Sequence, residues 1–314
     1  MRLVVTSFLL AASACCADLT SLYGVDNLES RRGRLTEDVN LVIAQEIQPF
    51  LTEAQVRAFT NIQLDLPPTV GSTPDPFDFY SAKPKHITLP LLTVAFIEEM
   101  SQAYSWLWAN RFSSQTVDEY LGMLGNRAPA DFPGHRYPAP LAALHIPADA
   151  MNNPAVAGMA ARVRGTTLSF MLLHQFGHLT YRAQVQESLL KHERADKEEE
   201  FADAFALAVM KKNSEPPAGL LLLIHGLLYL PSQPPKDHPV SSHRLNAMAD
   251  FLDLRVREFA AGRADARLTA LAIGSLANHI RKSALFLSDS TGQKLWAEDS
   301  RQVTIASLSP RRLQ

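Results

Sequence analysis

Two pairs of metal-capable side chains, each at helical i, i+4 spacing, constrain this chain more than any other feature. His174 and His178 stand in an apolar run, with Leu168, Phe170, Met171, Leu172 and Leu173 before them and Phe176 and Leu179 around them. Positions four apart on a helix lie about 40° apart on one face, so both imidazoles can reach one point. Glu199 and Asp203 repeat the spacing on a second stretch, amid Phe201, Ala202, Ala204, Phe205, Ala206 and Leu207. A carboxylate pair on an alanine-rich, apolar helix needs partners, because burying unpaired charge is costly. A metal bound by His174, His178 and Glu199 satisfies one carboxylate. Asp203 is then placed to accept the second ring N–H of a ligand histidine and fix its tautomer. The competing reading takes Lys191 to Glu200 as a solvated charge run with Glu199 at its end. Gly177, between the histidines, leaves room for a neighbouring backbone to pass close.

The 314 residues suffice for one large domain or two small ones. A hydrophobic share of 46% and a charged share of 20% are those of a globular protein. The formal net charge of -2 gives no electrostatic reason to expect nucleic acid as a partner. Arg2, the apolar run Leu3 to Ala12 and the small residues Ser13 to Ala17 have the layout of a secretory signal. Ala12-Ser13-Ala14-Cys15 also resembles a bacterial lipobox, so residues 1–17 read as a cleaved signal or as a lipoprotein signal with a lipid on Cys15. Either way the destination is the periplasm or cell envelope. No run is long enough for a transmembrane span. Both cysteines lie in this segment, so the body of the chain has no disulfide to rely on.

Residues 18–35 are polar and read as a tether, 36–290 as a single domain, and 291–314 as a C-terminal tail. Helical periodicity covers Thr36 to Phe59 and Leu91 to Phe112, where Tyr104, Trp106 and Trp108 form a core stripe. Further helices are expected at 156–184, 196–211, 217–230, 240–260 and 266–286. His86 to Leu89 alternates like a short strand, ended by Pro90. Ala142 to Pro147 and Gln302 to Ala306 are further strand candidates. The expected class is mainly α with a small β-sheet (α+β).

The two helical segments resemble the gluzincin zinc metallopeptidases. There an H-E-x-x-H helix supplies two ligands and a later E-x-x-x-D helix the third. His174, His178 and Glu199 match the ligands, and Asp203 matches the aspartate behind them. Glu199 to Ala206 is especially close to the CAAX prenyl protease and HtpX-type group, and to a bacterial family described only as metallopeptidase-like. Asp237-His238-Pro239 with Arg244 matches that group's H-P-x-x-x-x-R element, whose histidine and arginine hold substrate and the oxyanion. By itself, His238-Pro239 reads as a turn leading into a helix, with Ser241 or Ser242 as cap. The resemblance spans roughly residues 86–250 and implies a zincin-like domain, one zinc ion, a polypeptide substrate, and an edge strand at His86 to Leu89 to hold it.

The chain departs from that pattern at one letter. Gln175 occupies the position of the general-base glutamate, and an amide can hydrogen-bond a metal-held water without accepting its proton. General acid–base catalysis contributes about 10²–10⁴-fold, so hydrolysis is expected to be severely impaired. Glu198, Glu200 and His238 are the candidate replacement bases. Three functions follow: a slow envelope metallopeptidase, a pseudopeptidase that binds peptide or serves envelope assembly, or a fold stabilised by structural metal. His135, His145, His192, His225, His243 and His279 are expected to be local hydrogen-bonders without a site role.

Overall fold

Residues 165–178 are buried without a break, and a helix buried on every side needs neighbours on every side. The computed structural model describes residues 21–69, 85–184, 191–213, 216–230 and 240–312, and supplies those neighbours. The elements run α1 (Val25–Val42), α2 (Glu53–Thr60), β1 (Gln63–Asp65), β2 (His86–Thr88), α3 (Leu91–Ala109), α4 (Gln115–Asn126) and α5 (Pro140–Ala143). They continue with α6 (Pro154–Gln184), α7 (Lys191–Lys212), α8 (Gly219–Tyr229), α9 (Ser242–Ala260), α10 (Ala266–Ser288) and α11 (Ser290–Gln302). Pro154 stands at the first position of α6, where its missing N–H costs nothing, and Asn153 Oδ1 accepts from the Ala155 amide at 3.0 Å. Helices α1, α3, α7 and α8 pack around α6.

Among the described residues the fold is mostly helical with one small sheet. Strands β1 and β2 pair in parallel, with Gln63 opposite His86, Leu64 opposite Ile87 and Asp65 opposite Thr88. Helix α3 follows at once, and Leu91, Leu92, Val94, Ala95, Phe96 and Ile97 are all in the core. Helices α9 and α10 form a hairpin whose turn uses Gly262 at φ 73, a conformation a side chain would strain.

Several expected segments fold differently. Of the expected tether 18–35, the described residues 21–35 are not one: α1 begins at Val25, and Leu28, Leu35 and Val39 are fully buried. The segment reads as polar because of Arg31 and Arg34, and both of these close ion pairs with the buried Glu98 of α3. Residues 291–312 are not a loose tail either. Helix α11 packs on α4, where Gly122 makes room for Ser300 and Trp296. Downstream, the Arg127 guanidinium donates to the Val303 carbonyl and Ser113 N donates to the Arg311 carbonyl. Ala142 to Pro147 holds the end of the single turn α5, begun by Pro140, rather than a strand. Gln302 to Ala306 spans the end of α11 and a tight turn capped by Thr304. Residues 1–17 lie outside the described residues. Among those described, no helix is long and apolar enough to cross a membrane.

Because Leu35 is fully buried, Leu35→Ala is expected to lower stability by about 2–4 kcal/mol in urea unfolding. An unchanged midpoint would return the segment to the status of a tether.

Candidate metal centre

The site is built where α6 and α7 touch. A Cβ on Gly177 would lie 2.8 Å from Ala202 Cα, closer than real side chains come, so glycine is what lets the helices approach. That approach brings His174 and His178 of α6 against Glu198, Glu199 and Asp203 of α7. The two Nε2 atoms are 3.0 Å apart. Glu199 faces both, Oε2 at 3.4 Å from His174 Nε2 and Oε1 at 3.2 Å from His178 Nε2. Donor atoms of His174, His178 and Glu199 all lie within 4.8 Å of one another, and all three residues are buried.

Each imidazole is oriented from behind. His174 Nδ1 lies 2.9 Å from Asp203 Oδ1, the partner expected for it. His178 Nδ1 lies 3.0 Å from Glu198 Oε1, which also accepts from Arg182 Nε at 2.5 Å. Carboxylates at the Nδ1 positions favour tautomers with the proton there and the Nε2 lone pair turned inward. Two lone pairs and a carboxylate then converge on one small buried volume, an arrangement that calls for a positive charge at its centre. The donor set therefore fits a metal ion.

Arg244 of α9 completes the cluster. Its Nε and Nη2 donate to the two oxygens of Asp203 at 2.6 and 2.9 Å, and Nη1 pairs with Glu199 Oε2 at 2.7 Å. Ser241 Oγ caps α9 by accepting from Arg244 N, which fixes the start of the helix that carries this arginine. The resemblance assigns Arg244 to the oxyanion. Here it is 8% exposed and its guanidinium is taken up by Asp203 and by the candidate ligand Glu199. Glu199 Oε1 is left facing the histidines. Both Asp237 and His238 lie outside the described residues.

Burial alone would raise the Asp203 pKa, but Arg244 and His174 overcome it and hold the carboxyl below its ordinary value. Glu198 follows the same pattern, with burial outweighed by His178 and Arg182. For His178 burial opposes protonation, yet Glu198 and Glu199 prevail and the net shift is upward. A proton on His178 can thus supply the central positive charge in the metal-free protein.

Gln175 is 1% exposed, and neither its amide oxygen nor its nitrogen has a hydrogen-bond partner among the described residues. The two described replacement bases are both committed elsewhere. Glu198 sits on the Nδ1 side of His178, away from the converging Nε2 atoms. Glu200 pairs with His243 Nδ1 at 2.8 Å near the surface. Sequence reasoning offered Glu198 as a base and overlooked Arg182. The available signal was that Arg182 stands one helical turn beyond His178. His225 pairs with Asp118 at 2.7 Å, His145 with the Ile305 carbonyl and His279 with the Ser275 carbonyl.

A metal bound here would compete with a proton on His178, and the sign follows from the upward shift of its pKa. In the metal-free protein that shift contributes stability below the ordinary histidine pKa of about 6.5, lost as pH rises through the folded value. The metal-bound form needs the neutral ring. Thermal unfolding is therefore expected to show a zinc-induced rise in Tm that grows from pH 5.5 to pH 8. A rise independent of pH would exclude His178 as a ligand.

No family model, no curated protein and no solved structure matches this chain.

Proposed function

We propose that this protein is a zinc-binding, gluzincin-like domain that keeps the metal site of a peptidase while its hydrolytic step is impaired. What carries the reading is the combination at one point of α6: three convergent donors beside Gln175, a buried amide with no partner among the described residues. Zinc bound by His174, His178 and Glu199 would polarise a carbonyl and lower the pKa of a bound water. The chain's own residues supply the rest. Asp203 and Glu198 hold the two rings, Arg244 fixes Asp203 and Glu199, and Gln175 can orient a water or a peptide carbonyl by hydrogen bonding. None of these moves the proton that hydrolysis must relocate. A peptide-binding or envelope-assembly role follows, with β2 as the strand along which an extended ligand can add. Export rests on the signal-like residues 1–17, with release after cleavage or a lipid on Cys15 as the two outcomes.

One observation favours a second reading. His174 and His178 are each 1% exposed and Glu199 is 2% exposed. Structural zinc sites are closed in this way, whereas catalytic ones keep an open position.

The two readings part on restoring the base. Gln175→Glu is expected to give chelator-sensitive cleavage of an unfolded protein substrate, about 10²–10⁴-fold above the unaltered chain. Equal cleavage by both would mean a different base serves the site. Silence in both, with zinc bound, would favour the closed structural metal.

A further inference from the structure

Far along α6 from the metal centre, Met159 and Val163 line a cavity of about 470 Å³ between α3, α6, α8 and α10. Counting 1.5 Å per residue, it begins roughly 15–20 Å from His174. That volume lies within the range of small-molecule sites, about 300–1,000 Å³. Its walls are mainly apolar, with Trp108 of α3, Leu221 of α8 and Leu276 of α10 facing the same space as the hydroxyls of Tyr104 and Ser105.

Two further observations say what would fill it. Ser105 lines the cavity, is 1% exposed, and its hydroxyl has no hydrogen-bond partner among the described residues. A buried hydroxyl left unbonded is costly, so a group from a ligand is the natural complement. None of the lining residues is Lys, Arg, Asp or Glu, and the imidazole of His279 stands exposed at the rim with Nδ1 on the Ser275 carbonyl, so the interior wall around Ser105 has no charge to offset the desolvation of a charged ligand. The mouth carries exposed apolar side chains beside Ser275 and His279. Trp108, expected in the core, is 66% exposed, and Leu268, one helical turn before the lining residue Ala272, is 67% exposed.

We propose that this cavity binds an uncharged amphiphile, its apolar body against Trp108, Met159, Leu221 and Leu276 and a single hydroxyl, carbonyl or N–H group on Ser105. The site is separate from the metal centre and does not depend on the function proposed for it.

The test uses the full chain in excess chelator, which removes any contribution of bound metal. N-phenyl-1-naphthylamine, neutral and with one N–H, serves as the fluorescent probe. Saturable binding at one site per chain is expected. Ala272→Trp or Ser275→Trp, both exposed at the mouth and checked for an unchanged melting curve, should weaken it at least about tenfold. Ser105→Ala should weaken it about three- to tenfold. Dodecan-1-ol should displace the probe at least about tenfold better than dodecanoate. Absence of saturable binding, or binding that both tryptophan variants leave unchanged, would overturn the site. Equal displacement by alcohol and carboxylate would overturn the assignment to an uncharged ligand.

Discussion

The contact of Gly177 with Ala202 sets the distance between α6 and α7, and the site depends on that distance. Helices in ordinary contact keep their axes about 8–10 Å apart, according to the side chains between them. Glycine against alanine gives the near end of that range. At that separation short side chains suffice: Asp203 reaches His174, and Glu199 reaches both histidines, without long flexible connections. The candidate ligands are thus held by backbone packing first and by hydrogen bonds second.

Charge explains the remainder of the cluster. Glu198, Glu199 and Asp203 bring three negative charges, which Arg182 and Arg244 offset with two positive ones. With both histidines neutral the buried group carries one net negative charge. A proton on His178 would neutralise it without metal, and a divalent ion held there would overcompensate. The two are alternatives at one place, which is why the same carboxylates that raise the His178 pKa also make a metal site. Arg244 pairs with Glu199 Oε2 and with both oxygens of Asp203, so its guanidinium is engaged by the carboxylates of the cluster.

Much of this was legible in the sequence because it is local. The i, i+4 pairs His174/His178 and Glu199/Asp203 and the intervening Gly177 gave the ligand faces and the close approach from spacing alone. The central helices were legible from apolar periodicity to within a few residues. What escaped was what depends on distant partners. Arg31 and Arg34 made α1 look like a solvated lead-in, since Glu98 is far away in sequence. Strand β1 is three residues long and takes its identity from pairing with β2. The second role of Glu198, behind His178, was hidden in a charge run. Trp108 was placed in the core by periodicity, which cannot see that the end of α3 emerges at the surface.

The account stands on a metal held by two imidazoles and one carboxylate. X-ray absorption at the zinc edge, on chain purified without added metal and then loaded with one equivalent, tests this directly. The expected shell has two nitrogens at about 2.0–2.1 Å and oxygen at about 2.0–2.2 Å, with the nitrogen contribution halved in His174→Ala. A spectrum of hydrated zinc alone, or one unchanged by His174→Ala, would contradict it.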